Sequence, residues 1–314
     1  MAKTKDKSAK RVPKDFIKPL NMNGLKGRMM YLPAPKNKKR EILFVYGHHS
    51  SLERWWGLVQ DLNQYGAVTM PDLPGFGGMQ SFYRIGKIPD IDTMADYMAS
   101  FIKLRYKRKT VTIIGLSYGF VIATRMIQRY PDLAKKVNLI ISVVGFAHHD
   151  DFVFKKSRYN IYVAASRFFS FRLPALFFRN VLLHPSVLRL AYAHTHNAKS
   201  KFEGLPKAKQ RENMDFEIHL WHSNDLRTHM YTSYDFLRVD NCKKPIDMPL
   251  WHIAVPADQY FDAESVEQHL KLIYNKVNIA VADVDNHAPS IIAEAEEAAP
   301  LIPTKIRRLL ARQP

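Results

Sequence analysis

At 314 residues with 46% apolar side chains, the chain is long enough to bury one large core plus an inserted subdomain, and its mixed charge excludes wholesale disorder. The single cysteine, Cys242, excludes an intrachain disulfide framework, and the opening Met1-Ala2-Lys3-Thr4 lacks the apolar stretch of a secretory signal. Arg167, Arg172 and Arg179 interrupt the most hydrophobic region before it reaches the ~18 apolar residues of a membrane span, so a reducing, cytoplasmic location is expected, with peripheral membrane contact left open.

The net charge of +18 is uneven: residues 1–40 hold thirteen Lys and Arg against Asp6 and Asp15, which is +11 of the total. Residues 1–26 are therefore expected to form a basic flexible tail, lysine-rich and proline-punctuated, with little to bury. Such a tail is attracted to anionic membrane or nucleic acid, although a solvated charge run is the plainer reading. Paired Cys/His zinc spacing and an RNP-type aromatic sequence are both missing, which speaks against nucleic acid and leaves peripheral contact with an anionic membrane as the partner still open to the tail.

Residues 28–32 and 41–46 read as two strands joined by a lysine-rich turn, an opening hairpin. A helix-like stretch over 52–65 and a short strand over 67–70 follow, then the loop Pro71-Asp72-Leu73-Pro74-Gly75-Phe76-Gly77-Gly78. The spacing predicts a helix over 91–106 and a buried β-branched strand over 110–114. Next comes Gly115-Leu116-Ser117-Tyr118-Gly119, with Phe120, Val121, Ala123, Thr124, Ile127 and Tyr130 at helical spacing until Pro131. Residues 137–144 form an almost wholly apolar strand. Continuous apolar strands alternating with helices imply a parallel sheet covered on both faces.

The pentapeptide at 115–119 is a G-x-S-x-G elbow in the strand-to-helix setting it requires. A serine hydroxyl is a poor nucleophile until a sharp turn exposes it to a base, and small residues on either side allow that turn to pack. Ser117 is the candidate nucleophile. A base and an acid are then needed. His287 follows an apolar strand at 277–282, in the loop Asp283-Val284-Asp285-Asn286-His287-Ala288-Pro289, and is the candidate base. A strand beginning near Pro249 leads to Asp258, the preferred acid, with Asp262, Asp150 and Asp151 as alternatives.

The order and spacing of three segments resemble the α/β-hydrolase family over roughly residues 28–312: the strand and loop from Ile42 through Gly47-His48-His49-Ser50-Ser51, the loop Asp72-Leu73-Pro74-Gly75-Phe76-Gly77, and the elbow. The resemblance implies an α/β fold with a mostly parallel sheet flanked by helices and an inserted helical cap. The implied division is 1–26 tail, 27–145 with 248–314 core, and 146–247 cap. It implies an oxyanion hole formed by the backbone amides of His48 and Tyr118 and the chain order Ser117, Asp258, His287. Tyr46 stands where the family usually has histidine. Asp72 is expected to hold its loop rather than touch substrate.

Residues 152–178 carry Phe152, Phe154, Tyr159, Tyr162, Phe168, Phe169, Phe171, Phe177 and Phe178 interleaved with basic residues. Packing as the cap's own core is the preferred reading; an apolar acyl pocket or a face that meets lipid is the sharper one. His194, His196, His219, His222 and His229 lack metalloprotease spacing, and Gly75-Phe76-Gly77-Gly78 lacks P-loop or Rossmann spacing, so neither metal nor cofactor is expected. The resemblance points to a serine hydrolase acting on an apolar carboxylic ester or related acyl compound. Serine at the elbow argues against epoxide hydrolase or dehalogenase chemistry, in which relatives use aspartate there. Carbon-carbon bond hydrolysis or acyl transfer by the same triad is one alternative, and a non-catalytic ligand- or membrane-binding scaffold is another.

Overall fold

The apolar runs become one eight-stranded sheet: β1 (Ile17–Met22), β2 (Leu25–Leu32), β3 (Arg40–Val45), β4 (Gly66–Pro71), β5 (Val111–Leu116), β6 (Val137–Val143), β7 (Ile246–Ala254) and β8 (Tyr274–Val281). Their order across the sheet is β1-β2-β4-β3-β5-β6-β7-β8. β1 and β2 run antiparallel to each other, and β2 to β4; every other pairing is parallel. The structure is a computed structural model that describes residues 11–194, 206–284, 287 and 295–312, except for the side chains of 192–194 and 297. Residues 1–10 of the expected tail, His196, and positions 285, 286, 288 and 289 beside His287 lie outside the described residues.

Every residue of β4 and β5 is buried, because helices cover both faces of the sheet. Those helices are α1 (Trp56–Asn63), α2 (Ile91–Arg105), α3 (Tyr118–Arg129), α4 (Pro131–Ala134) and, after β7, α10 (Ala263–Ile273) and α12 (Thr304–Ala311). Asp90 starts α2 by accepting the Thr93 N–H, and Asp262 starts α10 by accepting that of Ser265. Between β6 and β7 the described residues form α5 (Lys156–Phe169), α6 (Arg172–Phe177), a π-helical continuation at Phe178–Leu182, α7 (Pro185–His194), α8 (Lys207–Ser223) and α9 (Leu226–Phe236), joined by irregular segments. The short α11 (Ala295–Ala298) precedes α12.

Three expectations are corrected. β2 and β3 do not form a hairpin, because β4 lies between them. Asn63 Nδ2 donates to the carbonyls of both Pro33 and Gly66, at 2.9 Å each, so the end of α1 ties the start of β4 beside the connection that a hairpin would have made tight. The real hairpin is β1–β2, registered from Ile17↔Met30 to Met22↔Leu25 across Asn23-Gly24, whose φ angles of 54° and 79° suit a two-residue turn. Part of the stretch read as flexible tail is therefore an edge strand. Its Lys18 and Pro19 are what a strand edge carries to stay unpaired, and they mask its pattern. The helix expected over 52–65 divides into a 3-10 turn at Glu53–Trp55 followed by α1.

Candidate active site

Ser117 sits between the last residue of β5 and the first of α3 with φ 49° and ψ −121°, a conformation that costs an L-residue energy and must be imposed by its surroundings. The Ser117 N–H donates to the Val143 carbonyl at 2.9 Å, and Ser117 O accepts the Phe120 N–H at 3.0 Å. The flanking glycines are steric necessities: a Cβ on Gly115 would lie 2.6 Å from Phe120 Cα, and one on Gly119 would lie 2.2 Å from the Val45 carbonyl oxygen. The turn therefore stays sharp and lifts the hydroxyl above the sheet.

Asp258 lies just past β7. Its Oδ1 accepts the N–H groups of Tyr260 (2.8 Å) and Phe261 (3.3 Å), which orients the carboxylate and leaves Oδ2 for His287 Nδ1 at 2.6 Å. His287 Nε2 lies 3.1 Å from Ser117 Oγ. A carboxylate only accepts, so Nδ1 carries the proton, and Nε2 is left with the lone pair that receives the serine O–H. Both the imidazole and the carboxylate side chains are largely buried. Tyr260 and Phe261 pack on the imidazole, with ring centroids 5.2 and 5.3 Å away. The three side chains come from the carboxyl ends of β5, β7 and β8, the edge where open parallel sheets hold their sites.

The competing carboxylates are committed elsewhere. Asp151 is fully buried; Oδ2 accepts the N–H groups of Ala147 and His148, and Oδ1 pairs with His269 Nδ1 at 2.5 Å. Asp150 is largely exposed beside His148 and His149. Asp262 caps α10.

Tyr46, the departure from the family's histidine, ties two loops together. Its hydroxyl donates to Asp72 Oδ1 at 2.9 Å and accepts the Leu73 N–H at 2.7 Å, while Arg28 Nε donates to Asp72 Oδ2 at 3.0 Å. Asp72 thus holds its loop. His48 follows on the same turn, partly buried; Nε2 lies 2.8 Å from Thr232 Oγ1 and 3.2 Å from the His229 carbonyl, a pure acceptor that places the ring proton on Nε2. Burial, reinforced by nearby His49, pushes the His48 imidazole down to about 3, and burial beside His48 and His49 pushes His229 well below the usual range. Neutral rings therefore pack around this loop. Tyr118 opens α3, so its N–H has no acceptor within the helix and is open to a ligand oxygen.

Thr232 and His229, both on α9, were not legible as partners of His48, since nothing in their spacing marks a contact formed across 181 or 184 residues. The Asp151–His269 pair was equally hidden, though His148 and Asp151 do form a capping box visible as a three-residue spacing. Val144, a β-branched residue at φ 44°, lines a small cavity with Gly145, His252, Asp258 and Phe261. Among the described residues the one His, Cys, Asp or Glu group compact enough for a metal is His148, His149 and Asp150, within 4.8 Å; His219 and His222 do not join it.

The family model described as alpha/beta hydrolase fold matches residues 42–232. Similar solved structures include an esterase from Thermogutta terrifontis, 16% identical at a TM-score of 0.64, over 94% of this chain and 98% of that one. An esterase from Exiguobacterium antarcticum is 14% identical at 0.66, over 92% and 97%. An epoxide hydrolase from Bacillus megaterium is 12% identical at 0.64, over 93% and 99%. At these identities the likeness is one of fold. No curated protein matches the chain significantly in sequence.

Proposed function

Because the chain belongs to the alpha/beta hydrolase fold family, we propose that it is a serine hydrolase that cleaves an apolar carboxylic ester through an acyl-enzyme intermediate. The observation that carries this reading is His287 bridging Asp258 and Ser117. Ser117 Oγ attacks the acyl carbon while its proton passes to His287 Nε2, and Asp258 stabilises the imidazolium through Nδ1–H. The tetrahedral oxyanion is held by the Tyr118 and His48 amides. Collapse expels the alcohol, which takes the proton from Nε2. Water then gives a proton back to Nε2 and attacks the acyl-enzyme, and the acid leaves as Ser117 recovers its hydrogen.

The apolar preference is supported by the rings around the relay. Phe261 meets Phe146 at 4.5 Å and Phe152 at 4.9 Å, and Phe236 meets Tyr118 at 5.6 Å, so the wall beside the acyl carbon is aromatic. The segment between β6 and β7 supplies Phe152, just before α5, and Phe236 and His229 on α9 to this surround, and acts as a cap that sets specificity. A series of p-nitrophenyl esters of rising acyl length tests the reading, with Ser117→Ala as the blank. The expected result is a rise in kcat/KM from acetate to longer chains. Equal rates along the series contradict the apolar pocket, and no turnover of any ester by folded protein contradicts the esterase.

A further inference from the structure

The helices α5 to α7 present apolar stripes to solvent. On α5, Ile161, Ala164 and Phe168 lie on one face at i, i+3, i+7 spacing and are exposed, whereas Ser166 on the inward side is buried. Across α6 and its continuation Leu173, Leu176, Phe177 and Val181 repeat the pattern, with Ala175 buried behind them. On α7, Val187 and Leu190 are exposed and Leu188 is buried. The exposures are large: 77% for Leu173, 64% for Ile161, 62% for Leu190 and 59% for Phe177. The folded chain has thus turned stripes of the kind that usually seal a core outward, on three successive segments. Apolar stripes left exposed on three successive segments mark an interaction site.

Charge identifies the occupant. Residues 152–194 contain seven Lys and Arg and no Asp or Glu. Lys155, Lys156, Arg158 and Arg172 are exposed beside the stripes. Arg189 pairs with Asp215 on α8; a second copy of this chain would still bring the net positive charge of the other six cations against itself, whereas an anionic bilayer offers both hydrocarbon and neutralising headgroups. We propose that the outer face of α5, α6 and α7 docks this protein onto an anionic membrane surface, with the helices lying in the interface.

Dimensions favour lying over spanning. α5 with the 172–182 segment has the composition of a membrane-entering stretch, but the two limbs are bent by 95°. At ~1.5 Å per residue the limbs are roughly 21 and 16 Å long, short of the ~30 Å hydrocarbon core. Each can sink its apolar stripe while the cations reach headgroups. The docked face also adjoins the reaction centre through touching rings: exposed Tyr162 meets Phe154 at 5.2 Å, Phe154 meets Phe152 at 5.5 Å, and Phe152 meets Phe261 beside His287.

Vesicle sedimentation of the full chain tests this, carried out on Ser117→Ala so that lipid hydrolysis and docking are read separately. Vesicles of phosphatidylcholine with about one third phosphatidylglycerol should pellet the protein, pure phosphatidylcholine far less, and added salt should release part of it. Leu173→Ser with Phe177→Ser keeps every cation, including those at residues 1–40, and should weaken partitioning by about tenfold or more with the circular dichroism unchanged. Phe177→Trp should shift its emission to shorter wavelength on anionic vesicles. Failure of the parent protein to pellet with anionic vesicles overturns the proposal. So does equal pelleting of the double serine variant, which would assign the binding to charge alone. Self-association lost in that variant, without any vesicle binding, would make a second copy the occupant and likewise overturn it.

Discussion

The parallel sheet and the outer face of α5–α7 are built from the same kinds of side chain and use them in opposite ways. Ile113, Ile114, Ile140 and Ile141 are fully buried between layers of helix, so their apolarity is accounted for by folding. Leu173, Ile161 and Leu190 contribute little buried area, so folding gives no reason for them; the proposed bilayer contact would supply one. The difference separates residues that make the structure from residues that the structure displays. The relay of Ser117, His287 and Asp258 lies at the sheet ends, with Tyr260 and Phe261 on its imidazole and Phe152 of the insertion packed on Phe261.

The largest effect that sharpens this contrast lies at the relay. Asp258→Asn should lower kcat/KM by about 10²–10⁴ while leaving the fold intact, because the imidazole loses the partner that fixes its tautomer. Asp262→Asn, four residues on, should leave turnover near that of the parent and weaken only the start of α10. Ester kinetics on both variants decide the matter; equal losses would remove Asp258 from the relay.

Core and displayed face differ next in stability. Ile141→Ala should cost about 2–5 kcal/mol in urea unfolding through lost burial and a cavity, whereas Leu173→Ala should stay within about 0.5 kcal/mol of the parent. A comparable loss at both sites would mean that the outer stripe is packed in solution and that the contrast fails.

The smallest of the three effects concerns pH. Burial lowers the His48 imidazole to about 3 and His252 to about 4, with His229 also low, whereas each takes up its proton near 6.5 when unfolded. Between those values the unfolded chain binds more protons, so stability falls as pH falls. Asp235, raised to about 6 by burial, and Asp72, which burial holds well above the usual carboxylate range, oppose this, because the folded chain holds their protons more tightly. The net expectation is a loss of about 2–4 kcal/mol between pH 7 and 5, read from urea midpoints. A gain in stability on acidification would show that these rings are not buried neutral.

Much of this was readable in the chain. The elbow announced itself because its glycines, its β-branched strand and its helix are contiguous, and α2 and α3 carried strong periodicity with a clear N-cap or a stopping proline. Asp258 and His287, singled out by position after apolar strands, are brought by the fold within hydrogen-bond reach of each other and of Ser117. The edge hairpin was not, because Lys18 and Pro19 disrupt alternation where an unpaired edge profits from them. Pairing order failed for another reason: whether β3 lies beside β2 or β4 is decided by contacts such as Asn63 with Pro33 and Gly66, which strand patterns do not encode. The aromatics of the insertion were expected to form its core. Phe152 and Phe169 do pack inward, but Tyr162, Phe168, Phe171 and Phe177 are exposed, and periodicity alone does not say which side of an amphipathic helix meets protein.

The most direct test of the account is intact-mass measurement and peptide mapping after treatment with a fluorophosphonate, which reacts with a serine only when a base activates it. One adduct, mapped to Ser117, absent in Ser117→Ala and formed far more slowly in His287→Ala, is the predicted result. Folded protein that takes up no label, or takes it up at another residue, would contradict the account.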